Sequence, residues 1–326
     1  MLTDRSTNVK VSVIIPTLNA GLEFVELIQR LQKQTLQPCE IIVMDSTSED
    51  GTPERARQLG TRVLSVLRSE FDHGGTRNTA AAQAKGDFFV FMTQDALPYD
   101  EQLLEKLIQP LLDDPSTACS YARQIPYPHA GILERLARAS NYPPEPRLKS
   151  KADIDQMGIQ TFICSNVCAA YRRETFYEMG SFAAPVIFNE DMFMAATCVM
   201  NGYSIAYAAE AGVYHSHDYT LMQQFRRFFD NGVSMCRNEW IIPYSKVGKP
   251  GFKLVKTQLK CLLKEHRYHL IPVLFAESAA KLIGYKLGIK HKRLPEFLCR
   301  YFSMHKLIWD RMHRVNDASA PMKRTG

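Results

Sequence analysis

A chain of 326 residues with 45% hydrophobic and 23% charged side chains can bury one substantial α/β core with an appendage, and shows no low-complexity tract or internal repeat. Its net charge of +6 conceals an asymmetry: residues 241–326 hold 18 Lys and Arg against 5 Asp and Glu, leaving 22 against 29 in residues 1–240. A basic tail on an acidic body points to an anionic surface partner, membrane or nucleic acid, against the plainer reading of a solvated helical face.

The polar start "MLTDRSTNVK" leads straight into an apolar run and is read as carrying no secretory signal. "VSVIIPT" (Val11–Thr17) predicts a strand buried on both faces, and Phe24, Leu27, Ile28 and Leu31 follow at helical spacing. "EIIVMD" (Glu40–Asp45) predicts a second strand. "TPERARQLG" predicts a helix with Pro53 in its first turn and Gly60 as its stop. "RVLSVL" reads as a third strand, "TRNTAAAQAKG" as a helix closed by Gly86, and "DFFVFMT" as a fourth strand. This alternation predicts an α/β fold with a parallel sheet covered on both faces, whose ligands sit beyond the carboxyl ends of the strands.

Those ends are polar: "PTLNA", "DSTSEDGT", "FDHGGTRN" and "TQDALP". The third, Phe71–Asn78, sets two glycines before a helix, where unpaired N–H groups and the positive dipole end favour an anion. It matches neither GxGxxG nor GxxxxGK[ST], so both familiar nucleotide loops are excluded, and an ordinary glycine turn is the competing reading.

Beyond residue 120 the alternation fades. Gln124–Lys151, rich in Pro and Arg, predicts a helix followed by a long excursion, a lid or acceptor loop. "QTFICSNVCAAYRRETFYEMGSF" reads as strand then helix, "FNEDMFMAATCVMNGY" as a helix from about Glu190 to Gly202, and "IAYAAEAGVYHSHDYT" as a pair of short strands. The eight cysteines are scattered, and the close pair Cys164 and Cys168 lacks the second pair a zinc site needs. They are read as buried thiols in a reducing cytoplasm.

In this order, "VSVIIPTLNA", "EIIVMDSTSEDGT", "GGTRNTAAAQAKGDFFVFMTQDA" and "FNEDMFMAATCVMNGYSIAY" resemble glycosyltransferase family 2. "FDHGGTRN", "MTQDALP", "SNVCAAYRR" and "VYHSHDYT" are most similar to its bacterial rhamnosyltransferases. The resemblance implies a GT-A catalytic domain over 1–240, followed by a C-terminal amphipathic helical region over 241–326. It implies inverting transfer of a sugar, L-rhamnose from dTDP-L-rhamnose, onto a saccharide or polyprenyl-diphosphate-linked acceptor in surface polysaccharide synthesis. A UDP-hexose donor and a non-catalytic nucleotide-sugar-binding subunit stand as alternatives.

The resemblance also implies roles. Asp191 is the general base, with Glu190 beside it in a helix first turn, where carboxylates also serve capping. Thr17, Asn19 and Asp45 contact the nucleoside, and Gln94 lies beside the donor. Gly74 and Gly75 clear space for the diphosphate, Arg77 supplies donors to it, Asn78 holds the loop, and His73 either touches the sugar or braces the turn. The family's usual Asp-x-Asp is here Thr93-Gln94-Asp95-Ala96, so a divalent cation, Mn2+ or Mg2+, is expected on Asp95 with His215, or His217 as the competing ligand.

The tail interleaves Leu254, Leu259, Leu262, Leu263, Ile271, Val273, Leu274, Phe275, Leu282 and Ile283 with basic residues, while Glu277 and Lys281 interrupt its most apolar stretch. This predicts a peripheral enzyme docked on the anionic inner face of the cell membrane rather than a spanning helix, with no nucleic-acid partner. Packing of these helices on the catalytic domain or a second subunit is the alternative, and the oligomeric state, a homo-oligomer included, stays open.

Overall fold

The computed structural model describes residues 9–246 and 250–312. Its core is built on β1 (Val11–Thr17), which pairs in parallel with β2 (Glu40–Asp45) and with β4 (Phe88–Met92), while β3 (Arg62–Ser65) extends the sheet beyond β2. Burial of both faces explains why β1 is apolar at Val11, Val13, Ile14 and Ile15. Val11, Val13 and Ile15 pack with Phe24, Leu27 and Ile28 of α1 (Glu23–Gln32) and share that layer with α4 (Leu103–Asp113). Ile14 faces the other layer, which holds Ala80 and Ala81 of α3 (His73–Ala81). Between these elements, α2 (Thr52–Gln58) carries Pro53 in its first turn, and Gly60 follows it at φ 76°.

The sheet turns mixed in its second half. Its strand order is β3-β2-β1-β4-β8-β6-β9-β5, with β7 (Arg147–Lys149) on β9. The added strands are β5 (Leu97–Pro98), β6 (Thr117–Ile125), β8 (Cys168–Arg172) and β9 (Ser204–Tyr214). β8 runs antiparallel to both β4 and β6, so the parallel pattern predicted for the first four strands does not continue. The region read as two short strands is the single strand β9. A register shift moves its pairing from Ala122↔Ala208 to Arg123↔Gly212, a bulge that breaks the sequence period without ending the strand. The intervening helices are α5 (Ile132–Asn141), α6 (Ile154–Met157), α7 (Arg173–Glu178) and α8 (Glu190–Met200).

The C-terminal helices lie against the sheet-bearing part through α9 (Leu221–Arg237), which a Thr220–Gln223 capping box opens. α10 (Pro250–Lys264), α11 (Ile271–Ile289) and α12 (Glu296–Phe302) follow. α11 approaches α9 so closely that a Cβ on Gly288 would stand 2.1 Å from the Phe229 carbonyl oxygen. After α12 the chain returns to the same core, where Ile308, Trp309 and Met312 cluster with Ile187, Phe229 and Val233. Among the described residues no helix is long and apolar enough to cross a membrane.

Candidate active site

The carboxyl ends of β1 and β4 and the start of α3 surround a cavity of about 880 Å3 whose lining includes Thr17, His73, Arg77, Gln94, Asp95 and His217. Its far wall is Met304–Ile308, more than 200 residues along the chain from α3. The β1 loop is tied on both sides. Gln94 accepts from the Leu18 N–H at 2.8 Å and donates to its carbonyl at 3.2 Å, while Thr17 donates to Asp45 at 3.0 Å. Asp45 also accepts from the Ser48 hydroxyl at 2.6 Å and lines an adjoining cleft. Asn19, at φ 48°, spends its side-chain oxygen on the Glu49 N–H at 2.9 Å and thereby clamps two loops together.

The structure corrects the reading of "FDHGGTRN". The helix starts at His73, not Thr76, because the Asp72 carboxylate caps it by accepting from the Gly75 N–H at 2.7 Å. The other Asp72 oxygen lies 2.9 Å from Arg311, so a protein carboxylate already occupies this helix start. Gly74 does not open space for a ligand: a Cβ there would fall 1.9 Å from the Ala183 carbonyl oxygen, so the glycine lets α3 pack on the 182–186 loop. Asn78 clamps that same loop, donating to the Phe182 carbonyl and accepting from its N–H. His73 sits among Phe71, Phe188 and His305, and burial first, then Arg77 and Arg227, push its pKa down to about 3.

Arg77 is buried, donates to the His73 carbonyl at 2.9 Å, and pairs with Glu190 at 3.3 Å. That pair joins the cavity wall to the first turn of α8. Next along the helix, Asp191 is half-buried and accepts from the Asn166 N–H at 2.9 Å and from its neighbour Met192 at 2.7 Å. Burial and the adjacent Glu190 push its carboxyl up to about 7 despite those bonds. The Asn166 side chain donates to Glu190 at 3.0 Å, so one loop residue positions both carboxylates. The same loop meets the end of β4, where the Thr93 N–H donates to the Val167 carbonyl.

Asp95, His215 and His217 converge. Asp95 Oδ2 lies 3.1 Å from His217 Nε2 and 3.6 Å from His215 Nε2, and the two Nε2 atoms are 3.1 Å apart. Ligand atoms about 2.1 Å from one cation at near-octahedral or tetrahedral angles stand roughly 3.0–3.4 Å from each other. Two of the three separations fall in that range and the third, 3.6 Å, lies just above it, so a small movement of Asp95 or His215 would let all three hold a divalent ion. Burial drives the Asp95 carboxyl up, but the His215 and His217 rings that face it outweigh burial and hold it well below the ordinary range. Burial also lowers His215, which favours the neutral imidazole that a ligand must be. Gln124 fixes the tautomer. Its amide nitrogen donates to Tyr142 and Ser165, so its oxygen faces His215 Nδ1 at 3.0 Å and must accept, leaving Nε2 bare toward Asp95.

Gln124, Asn166, Arg227 and Asp230 form part of this region but were given no site role from the sequence, and the segment from Ser303 to Met312 holds "SMHKLIW", similar to the rhamnosyltransferases yet likewise assigned no place in the site. Asp230 carried the best signal, as an acid on the buried face of α9 beside Phe229.

A mixed sheet of this order, with Asp95, His215 and His217 gathered beyond a strand end, is the fold of the GT-A glycosyltransferases. A mannosyltransferase of Pyrobaculum calidifontis, solved in complex with GDP-Man and Mn2+, shares the fold with TM-score 0.60 at 18% identity over 88% of this chain and 89% of its own. TarS 1-349 of S. aureus shares it with TM-score 0.51 at 17% identity over 87% and 91%. The chain belongs to glycosyl transferase family 2, whose sequence profile matches residues 12–180. It is 44% identical to the O-antigen chain rhamnosyltransferase WbaN of Salmonella anatum over 92% of this chain and 95% of that one. To the O-antigen chain rhamnosyltransferase RfbN of Salmonella typhimurium it is 41% identical over 92% and 96%.

Proposed function

We propose that this enzyme transfers L-rhamnose from dTDP-L-rhamnose to a saccharide carried on a polyprenyl diphosphate during O-antigen synthesis. The observation that carries the proposal is the near-full-length identity to two O-antigen chain rhamnosyltransferases. In this reading the donor lies in the cavity over Asp95, its nucleoside toward Thr17 and Asp45. Bound by Asp95, His215 and His217, a divalent cation would lend positive charge to the departing diphosphate, and the mixed Asp/His set favours Mn2+ over Mg2+.

Asp191 takes the proton from the acceptor hydroxyl as that oxygen attacks the anomeric carbon and the diphosphate leaves, so the configuration inverts. A carboxyl raised to about 7 is suited to the task, because a general base works best with its pKa near the working pH. Glu190 is spent on Arg77 and Asn166, which supports Asp191 as the base.

The acceptor's lipid carrier calls for a membrane surface. Leu262 and Leu274 pack with Leu133 inside the protein, but Phe252, Leu263, Val273, Phe275, Leu282 and Ile283 remain exposed among the basic residues of α10 and α11. These exposed apolar and basic residues fit peripheral docking on the cytoplasmic leaflet, where each Lys or Arg near the surface adds ~1 kcal/mol.

A donor panel tests the proposal. With a lipid-linked acceptor, dTDP-L-rhamnose is expected to give product visible by mass spectrometry and UDP-hexoses are not. Transfer from a UDP-hexose alone would replace rhamnose by that sugar.

A further inference from the structure

The cavity over Asp95 is not completed by the strand-end loops. Its remaining wall comes from the segment after α12, and that segment is fastened at three places. The Met304 N–H donates to Asp230 at 2.8 Å and the His305 N–H follows at 3.3 Å. Arg311 reaches the fully buried Asp72 at 2.9 Å. Between them Ile308 and Trp309 are buried in the core with Phe229 and Val233. Two residues held between these anchors, Lys306 and Leu307, are exposed, and both line the cavity.

Charge gives that placement a purpose. The cavity wall carries Arg68, Arg77 and Lys306 against a single carboxylate, Asp95. Arg77 is buried against Glu190, and Asp95 faces the two histidines of the cation site. Among the described residues neither Arg68 nor Lys306 forms an ion pair. A surface lysine ordinarily points into solvent from a mobile stem, but this one is carried by a segment tied to two buried carboxylates on different elements, to Asp230 through backbone N–H groups and to Asp72 through the Arg311 side chain.

We propose that Lys306 binds the diphosphate of the nucleotide donor, so that the chain's own C-terminal segment completes the donor site. The inference rests on the reading of this cavity as the nucleotide-sugar site. A cation site with one carboxylate leaves more of the diphosphate charge to the protein, and an ammonium is a strong point-charge partner for phosphate oxygens.

Calorimetric titration of the full-length protein tests this. Wild type is titrated with dTDP, UDP and the two nucleosides, and the tighter diphosphate is carried into the variants. Lys306→Ala is expected to weaken that diphosphate by roughly tenfold or more, the scale of one charge-assisted bond, while leaving its nucleoside unchanged. Lys306→Arg should recover most of the loss, and Lys264→Ala, a change to an exposed lysine on α10, should match wild type. If wild type binds the diphosphate and Lys306→Ala binds it equally well, the assignment of Lys306 is overturned while the donor-site reading stands. A parallel loss for the nucleoside would also overturn it. If wild type binds neither diphosphate, the donor-site reading itself falls, and this proposal with it.

Discussion

The Arg77 guanidinium lies 3.3 Å from the Glu190 carboxylate, with both side chains buried, and Glu190 immediately precedes Asp191 in the first turn of α8. The two partners act on Asp191 in opposite senses, since Glu190 raises its pKa and Arg77 lowers it. We therefore expect Glu190→Gln to move the ionisation of Asp191 to lower pH and Arg77→Met to move it higher. The kinetic pH profile of each variant reads the shift directly. Arg77→Met should also cost stability, on the order of 3–5 kcal/mol, because it strands a buried charge, and urea denaturation measures that.

The sign of the wild-type pH dependence follows from the same group. A general base is active when deprotonated, and the folded-state pKa of Asp191 is about 7. Transfer should rise with pH through neutrality and level off above it. A profile flat from pH 5 to 9 would remove Asp191 from the role.

Asp230 gives a stability counterpart. Burial pushes its carboxyl up to about 7, opposed by Ser303 and the Met304 and His305 N–H groups. A carboxyl raised in the folded state stabilises below the unfolded pKa, and that contribution is lost as pH rises toward 7. Wild type should therefore lose stability between about pH 4 and 7, and Asp230→Asn should lose less, by roughly 3–5 kcal/mol. Melting both proteins across that range gives the comparison.

The proposed cation site makes a prediction through a residue that would touch no metal. Gln124 holds His215 by Nδ1, so Gln124→Leu should lower Mn2+ affinity about 10–100-fold without removing a ligand. His217→Ala and Asp95→Ala should lower it further, as titrations followed by Mn2+ electron paramagnetic resonance would show. Unchanged Mn2+ binding in Asp95→Ala would place the metal elsewhere.

Membrane docking is tested with exposed residues, since α11 and the segment after α12 are packed onto α9. Phe275→Ser combined with Ile283→Ser should reduce co-sedimentation with anionic liposomes at low salt and leave the fold intact. Equal binding to neutral liposomes would contradict electrostatic docking.

Much of this was legible in the sequence for local reasons. β1, β2 and β4 are mostly apolar runs because both faces are buried, and Glu190-Asp191 opens α8 as the sequence predicted. What escaped depends on contacts without a local period. The function of Gly74 is set by Ala183, and His73 meets His305 across 232 residues at 3.4 Å. The tail's apolar residues do not divide by pattern alone either. Leu262 and Leu274 are buried while Leu263 and Phe275, one position on, are exposed.

The most direct test of the account compares transfer from dTDP-L-rhamnose by wild type and Asp191→Asn, with dTDP affinity measured on both. The account predicts transfer by wild type, a loss of ~10²–10⁴-fold in kcat for the variant, and nearly equal dTDP binding. Transfer by Asp191→Asn at close to the wild-type rate would contradict it.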